Sequence, residues 1–463
     1  MKIKRFISAI LMLGAVLATQ SASAQLKTSY FMEGSYFRTD LNPALVPTRG
    51  YIAISHLSGY TFGSYSNYAS NNNFFYERNG EIVDAYSPLV SAGEFLSKLP
   101  NRCMQNTTYD LNIFKLGFYT LNGTFWNIGS TFRVNSVSSI PKEYFQILKG
   151  QHSNSTTVKN MRMNANIYVE NFVGRTFQLG DNITIGAKVK FLVGVSNANM
   201  NLETISANDN GFSINGDVKM ASIIYDSSRY DGDVFPEVLT SSSLSSILDN
   251  ANNFGGAIDL GAEMRFMDDR LKVSAAITDL GFIRWSENNM MEGTIEKSLN
   301  KESAIDNIVD LLDEEDLAMP RFFTSYNSRL TTNINLAGEF NFLNNHLSVG
   351  LLSNTRLLYS AVMTELTASF NVRPTNWFSV TASHTFLNRN TPGIYGAAIN
   401  IHPRAINIFL GFDYISGTVE DDLGNTLVGL ATGYGAYANA NSFNLYLGIG
   451  FNFGRPDFLI NQD

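Results

Sequence analysis

The sequence of 463 residues has little cysteine, proline or charge. Its single cysteine, Cys103, can form neither an internal disulfide nor a thiolate metal cluster. The 11 prolines are too few for a collagen-like or proline-rich disordered chain. Charged residues make up 16% of the chain, against roughly 25% in an average soluble protein. Beyond residue 25 the chain has no apolar run of about 18 residues, so no transmembrane helix is predicted.

Aromatic residues, in contrast, are abundant. They make up 12% of the chain, and 44% of all residues are hydrophobic. The mean hydropathy is nevertheless close to zero, at −0.05. Many apolar residues and a neutral average together indicate long stretches in which apolar and polar residues alternate. The composition therefore favours a β protein, but it indicates no chemistry.

The first residues have the pattern of a secretory signal peptide. Lys2, Lys4 and Arg5 precede a short apolar run at 6–18, and small residues at 22–24 form a cleavage pattern. We therefore expect a signal peptide over 1–24 and an exported mature chain. That chain carries 30 basic and 41 acidic residues, a net charge of −11. Such an acidic balance argues against a nucleic-acid partner, which needs a basic face.

The strand pattern indicates a transmembrane barrel. Segment 443–453 places large apolar residues on one face and small or polar residues such as Asn444 and Asn452 on the other. Barrel strands alternate in this way, with lipid outside and a polar lumen inside. The same alternation recurs at 183–193, 258–266, 271–278, 334–342, 362–372 and 406–412. A large soluble exported β protein is the alternative.

The connections between these strands predict their number. Short turns at 120–122, 178–182, 267–269, 344–345, 373–376 and 403–404 alternate with longer loops. This alternation is typical of bacterial outer-membrane barrels and predicts fourteen antiparallel strands. A further hairpin at 198–224 would make sixteen. Helical spacing at 91–99, 237–249 and 295–317 predicts short helices in the outer loops.

The chain is thus predicted to be all-β, with an N-terminal plug or periplasmic segment at 25–50, a barrel at 51–453 and a tail at 454–463. Charged residues on the inner face are the candidate lumen-lining residues. They are Lys188, Lys190, Asp259, Glu263, Arg265, Lys272, Glu339 and Glu365. Two interpretations stay open: an ion-pair network that fills the lumen, or the lining of a selective solute path.

Enzymatic motifs are missing from the sequence. It has no HExxH pair, no GxSxG elbow and no glycine-rich phosphate loop. His384 is the best candidate for an outer-membrane hydrolase, yet Phe386 occupies the next position on its face, where a nucleophile could have been. The acidic run at 420–422 matches no Ca²⁺ loop spacing. We therefore expect no enzyme, no cofactor and no metal site.

The N-terminal segment carries a family resemblance. An aromatic–Met stretch at 29–32 precedes Asn42-Pro43-Ala44, and Arg49-Gly50-Tyr51 begins the first strand. Pro43 fixes its own φ and keeps Asn42 extended, and an asparagine can hydrogen-bond the backbone of a turn. The segment resembles the start of an uncharacterised Bacteroidota outer-membrane family. More distantly it is similar to FadL-type fatty-acid channels and PorV-type barrels, which implies that Asn42, Pro43 and Ala44 belong to a plug.

Two functions follow from this resemblance and from the predicted polar lumen. The first is a passive channel for a small hydrophobic solute across the outer membrane of a Gram-negative bacterium, in contact with outer-membrane lipid. The second is a non-transporting or secretion-associated scaffold. It would bind a protein partner through the predicted outer loops at 63–108, 196–253 and 284–330.

Overall fold

The structure is a computed structural model. The residues that it describes fall in ten stretches of the chain. These are 27–54, 59–69, 71–149, 156–208, 211–223, 251–300, 324–359, 361–386, 394–413 and 442–454. The predicted signal peptide, the candidate helix at 237–249, the acidic run at 420–422 and most of the predicted tail lie outside the described residues.

Fourteen antiparallel strands close into a barrel, as the sequence predicted. The ring closes where the last strand pairs with the first, Phe453 opposite Gly50. In chain order the strands are β1 (Gly50–Ile54), β2 (Tyr60–Ser66), β3 (Phe75–Arg78), β4 (Glu81–Asp84), β5 (Arg102–Tyr119), β6 (Phe125–Pro141), β7 (Thr156–Leu179), β8 (Ile183–Asn208), β9 (Gly211–Ser222), β10 (Phe254–Phe266), β11 (Leu271–Trp285), β12 (Met290–Asn300), β13 (Tyr326–Arg329), β14 (Thr332–Phe342), β15 (Leu347–Leu357), β16 (Val362–Thr375), β17 (Phe378–Phe386), β18 (Ile394–Ile401), β19 (Ile406–Phe412) and β20 (Ser442–Phe453).

The twenty strands give fourteen barrel strands, because two pairs merge and four strands lie outside the ring. β1 with β2, and β13 with β14, are each the two parts of one barrel strand. β9 and β12 pair with each other above the ring, and β3 pairs only with β4. The hairpin expected at 198–224 is therefore present as β8 and β9, but it makes the wall taller instead of adding two barrel strands.

The helix predicted at 295–317 is wrong over its first residues. β12 continues to Asn300 and pairs residue by residue with β9, for example Ile295 with Gly216. A continuous backbone ladder with a neighbouring strand outweighs a weak helical spacing of apolar residues. Residues 301–317 of that prediction lie outside the described part of the chain.

The helices are short and lie in the plug region or the long loops. They are α1 (Arg38–Leu41), α2 (Asn71–Phe74), α3 (Ala92–Ser97) and α4 (Lys142–Leu148). α3 corresponds to the helix predicted at 91–99, and the Ser91 side chain caps it by accepting from the Glu94 amide. No helix in the described stretches is long and apolar enough to cross a membrane.

The barrel wall has an apolar outer face and a polar inner face. Leu351 on β15 and Phe370 on β16 point outward and are about half exposed, at 50% and 48%. Glu365, on the opposite face of β16, is buried inside. Exposed apolar residues recur on the outer faces of β10, β11, β14, β18 and β19. A continuous apolar band of this kind is far larger than the patches that soluble monomers expose.

Candidate functional site

The lumen is filled by the N-terminal segment 27–49, here called the plug. Its aromatic side chains are buried against one another and against inward residues of the wall. Tyr36 stacks on Phe37 and on Tyr51, with ring centroids 4.6 and 4.7 Å apart. Phe37 in turn contacts Phe409, which stacks on Tyr446. A barrel of fourteen strands is too wide for wall side chains alone to fill, so the plug supplies the core.

The Asn-Pro-Ala element docks on the wall through hydrogen bonds. The Ala44 amide donates to Asn42 Oδ1 over 2.9 Å, which forms a local turn. Asn42 Nδ2 donates to the Tyr30 hydroxyl over 3.1 Å, inside the plug. Thr176 Oγ1 on β7 donates to the Pro43 carbonyl oxygen over 2.6 Å. The element is therefore anchored to the plug at one end and to the wall at the other.

Two wall glycines make room for this element. Gly186 on β8 and Gly261 on β10 are direct cross-strand partners. A Cβ built at Gly186 would overlap the Pro43 carbonyl, and one at Gly261 would overlap the Asn42 amide oxygen. We call this pair the glycine notch. Only residues without a side chain allow the plug backbone to approach the wall so closely.

Buried and partly buried ion pairs join the plug to three sides of the wall. Asp40 lies between two lysines, 2.5 Å from Lys115 Nζ on β5 and 3.1 Å from Lys188 Nζ on β8. Glu33 pairs with Lys272 on β11. Lys27, at the other end of the plug, pairs with Glu365 on β16. Burial of charge requires such partners.

These lysines determine the charge state of the plug carboxylates. Burial by itself raises the pKa of Asp40, but Lys115 and Lys188 outweigh burial and hold that pKa below its ordinary value. Burial also favours a higher pKa for Glu33, yet Lys272 and Arg373 bring it well below the usual range. Both carboxylates are therefore ionised when the plug is seated.

The other five predicted lumen residues are found in three places. Lys190 and Asp259 belong to a network within the wall, 2.9 Å apart, and Lys190 Nζ also lies 2.5 Å from Asp279. Glu339 accepts from Arg373 over 2.6 Å. Glu263 and Arg265 line the cavity below the plug, 3.5 Å from each other. The structure thus places three of the eight predicted residues, Lys188, Lys272 and Glu365, directly against the plug.

Several charged residues of the site were missed by the sequence reasoning. Glu33 and Asp40 lie in the plug, where no alternation indicates a direction. Arg133 on β6 and Asp279 on β11 are 3.2 Å apart inside the lumen. Asp110 on β5 and Arg133 on β6 each have apolar neighbours on both sides in sequence, so the alternation of the strands could have identified them as inward residues. Asp279 adopts a left-handed backbone (φ 59°) beside an irregular register, which the pattern does not show.

The plug separates two cavities. At the end with the short turns lies an open vestibule of about 1530 Å³. The plug residues Glu33 and Arg38 form part of its lining. On the other side of the plug is a small inner cavity of about 90 Å³. Its lining includes Phe37, Asp40 and polar wall residues such as Asn112 and Thr131.

His402, in a short turn between β18 and β19, lies under plug residue Gly34. Burial lowers its pKa to about 4, from an ordinary value of 6.5. Between these two values the unfolded chain binds a proton that the folded chain does not, so stability rises with pH from about 4 to 6.5. We expect His402→Gln to flatten that slope in urea unfolding measured across pH. An unchanged slope would mean that other groups cause it.

His384 lies on the outer face of β17, away from the plug. Its ring contacts Phe386 and Tyr395, with centroids 4.5 and 4.6 Å away. Its cross-strand neighbours are Ala368 and Tyr395, neither of which offers a serine nucleophile. Nδ1 of His384 has no hydrogen-bond partner in the described part of the chain. The described stretches also hold no group of three or more His, Cys, Asp or Glu side chains placed for a metal ion.

Comparison with known proteins gives a family match over most of the chain. The model of DUF5723, described as a family of unknown function, matches residues 43–413. No curated protein matches.

Three solved structures with low sequence identity are similar to this chain. The Pseudomonas putida toluene transporter TodX is 8% identical, with 94% of this chain and 95% of that one covered and a TM-score of 0.40. A Pseudomonas aeruginosa FadL homologue is 10% identical, with 94% and 99% covered and a TM-score of 0.38. The translocator domain of the autotransporter NalP from Neisseria meningitidis is 9% identical, with 92% and 97% covered and a TM-score of 0.34. These similarities assign none of those proteins' activities to this chain.

Proposed function

This chain belongs to DUF5723, a family of unknown function, and we propose that it is an outer-membrane β-barrel that acts as a plug-gated passive channel for a small solute. The apolar outer band supports a location in lipid, and the alternation of short turns with long loops supports the orientation of outer-membrane barrels. The vestibule then faces the periplasm and the long loops face the cell exterior.

The observation that carries the gating proposal is the way the plug is held. Its backbone–backbone hydrogen bonds, such as the Tyr30 amide to the Lys27 carbonyl and the Leu45 amide to the Asn42 carbonyl, stay within the plug. The described hydrogen bonds between plug and wall, such as Thr176 Oγ1 to the Pro43 carbonyl, each have a side chain on at least one side, so the plug can leave without unpairing a strand. It lies between a vestibule and an inner cavity, which is where a gate has to be.

The lining of the inner cavity favours a polar solute. Asparagines, threonines and charged groups of both signs, among them Asp110 and Lys115, surround it. Such a wall offers hydrogen bonds to a polar molecule but little apolar surface to a hydrophobic one. We therefore propose a small polar solute. The hydrophobic solute that the resemblance implies is the second class to be measured.

A disulfide between plug and wall tests the gate. Thr28 Oγ1 in the plug lies 2.5 Å from Ser383 Oγ on β17, so the two side chains point at each other and cysteines in their place can form a disulfide. In a Cys103→Ser background we expect oxidised Thr28→Cys/Ser383→Cys to lower uptake at least tenfold, because both ends of the plug are then fixed. Reduction should restore uptake. Proteoliposome uptake of glycerol, glucose and glutamate, and uptake of a labelled aromatic hydrocarbon by intact cells, measures the two solute classes.

A disulfide within the wall is the matched control. Thr367 Oγ1 on β16 lies 2.7 Å from Thr385 Oγ1 on β17, and neither belongs to the plug. Oxidised Thr367→Cys/Thr385→Cys should leave uptake unchanged. Equal uptake by the plug-locked and control proteins would contradict a moving plug. Absence of uptake of both solute classes by the unlocked protein would overturn the channel.

A second candidate function, a scaffold that binds a protein partner, is favoured by the outer-loop cluster. Here α2, β3, β4 and α3 pack with α4 around Phe95 and Phe145, apart from the barrel core. This cluster exposes Ile82 (77%), Leu89 (55%) and Phe75 (50%) on one loop. Apolar groups so exposed above the membrane are typical of interaction sites. A stoichiometric partner in pull-downs from native membranes, lost in Ile82→Asp/Leu89→Asp, would support the scaffold.

A further inference from the structure

The barrel wall is uneven in height, and its tall side reaches the opposite rim. β5 to β8 have 17 to 26 residues each, whereas β15 has 11 and β19 has 7. Four apolar side chains meet in one buried contact at the end of the barrel with the long loops. We call this contact the seam, and its members are Met104, Val137, Leu358 and Met363.

The seam joins walls that face each other across the lumen. Around the ring, β5 and β6 are the second and third strands, and β15 and β16 are the ninth and tenth. Met104 and Val137 therefore lie seven strands away from Leu358 and Met363 in a ring of fourteen. Side chains on opposite strands of a round barrel this wide cannot touch. Their contact shows that the tall wall leans over the lumen and meets the opposite rim.

Two polar contacts flank the seam and also cross the lumen. Arg356 Nη1 on β15 donates to Asn106 Oδ1 on β5 over 3.4 Å. Asn199 Nδ2 on β8 donates to the Tyr359 hydroxyl, in the turn after β15, over 3.0 Å. Asn106 and Arg356 also line the inner cavity, so the seam lies immediately above it. The inner cavity thus has the plug on one side and the seam on the other.

We propose that the seam is a second gate, and that a solute passes from the cell exterior only when the tall wall separates from the opposite rim. This inference extends the proposed channel function, and the role of the seam in solute passage rests on that proposal. Within the described residues the seam is made by side chains alone, so it can open without unpairing a strand. An apolar constriction also resists water and ions while it is closed.

The two gates are physically connected. Plug residue Lys27 pairs with Glu365, and Arg356 Nη2 lies 3.1 Å from the same carboxylate. Arg356 Nη2 also lies 3.1 Å from the Met363 sulfur, in the seam. When Lys27 leaves, Arg356 is the neighbouring cation of Glu365, and the attraction between Arg356 and Glu365 becomes stronger. Movement of the plug is therefore transmitted to a residue that bridges the two walls.

Access to the inner cavity tests the seam. Thr108→Cys places a thiol in the cavity lining, in a Cys103→Ser background. The oxidised Thr28→Cys/Ser383→Cys disulfide keeps the plug shut, so a small charged maleimide has to reach this thiol from the side of the seam. We expect Leu358→Ala/Met363→Ala to raise the labelling rate at least tenfold over that of the protein with an intact seam.

The adjacent outward residues provide the matched control. Leu357 and Val362 neighbour the two seam residues in sequence but face outward. Leu357→Ala/Val362→Ala should therefore leave the labelling rate unchanged, with native heat-modifiable gel mobility in both proteins. Equal labelling of seam and control variants would overturn the seam as a gate. Labelling of the thiol does not require solute transport. The seam proposal can therefore fail while plug-gated uptake is observed, and uptake can fail while the seam controls labelling.

Discussion

Glu365→Ala is expected to destabilise the folded barrel by about 3–5 kcal/mol, the cost of leaving a buried charge without its partner. Glu365 is almost fully buried between two cations, Lys27 of the plug and Arg356 of β15. Removal of the carboxylate leaves both cations buried, close together and without this anion. The midpoint of urea unfolding, followed by gel mobility, should fall, and the plug should become sensitive to protease.

Substitution of the plug partner of Glu365, Lys27→Met, distinguishes loss of charge pairing from loss of contact between plug and wall. In that variant Glu365 still has Arg356 at 3.1 Å, so no buried charge is left unpartnered. We therefore expect a smaller loss of stability than in Glu365→Ala, with similar protease sensitivity of the plug. Glu94→Ala, which breaks the exposed ion pair with Arg78, is the surface control and should change neither measurement. A larger effect of Lys27→Met than of Glu365→Ala would contradict this order.

Gly186→Val is expected to displace the plug. A side chain at Gly186 would occupy the space of the Pro43 carbonyl group, which is backbone and cannot rotate away. Overpacking of this kind costs about 1–3 kcal/mol, and release of the plug relieves it. We therefore expect protease to cleave near the Asn-Pro-Ala element and uptake to rise severalfold in proteoliposomes.

Gly338→Val provides the comparison for the glycine notch. Gly338 lies on β14, and a Cβ built there has nothing within 4 Å. The same change of residue in the same kind of strand should leave the plug protected and uptake unchanged. If Gly186→Val behaves like Gly338→Val, the notch does not hold the plug.

The architecture of the wall could be predicted from the sequence. Alternation such as Leu366 outward and Glu365 inward is a property of the extended backbone itself, whose successive side chains point to opposite faces. Strand count followed because turns and loops alternate along the chain. The helical interpretation of 295–300 was wrong because it used spacing alone, whereas the structure pairs that segment with β9.

The arrangement of the interior could not be predicted. Lys27 and Glu365 are 338 positions apart, and their pairing depends on where the plug lies after the ring has closed. The partners of Asp40 come from β5 and β8, which strand alternation places inward but not at a common height. The glycine notch likewise needs the register between β8 and β10, which no local pattern specifies.

By itself, then, the sequence determined a closed β wall of fourteen strands with an apolar outside and a charged inside, because the two-residue period of a strand is a local property. Only the tertiary structure decided that the charges hold a plug, that two glycines receive Asn42 and Pro43, and that opposite walls meet at Val137 and Met363. Those contacts depend on barrel closure and strand height, which bring together side chains that are distant along the chain.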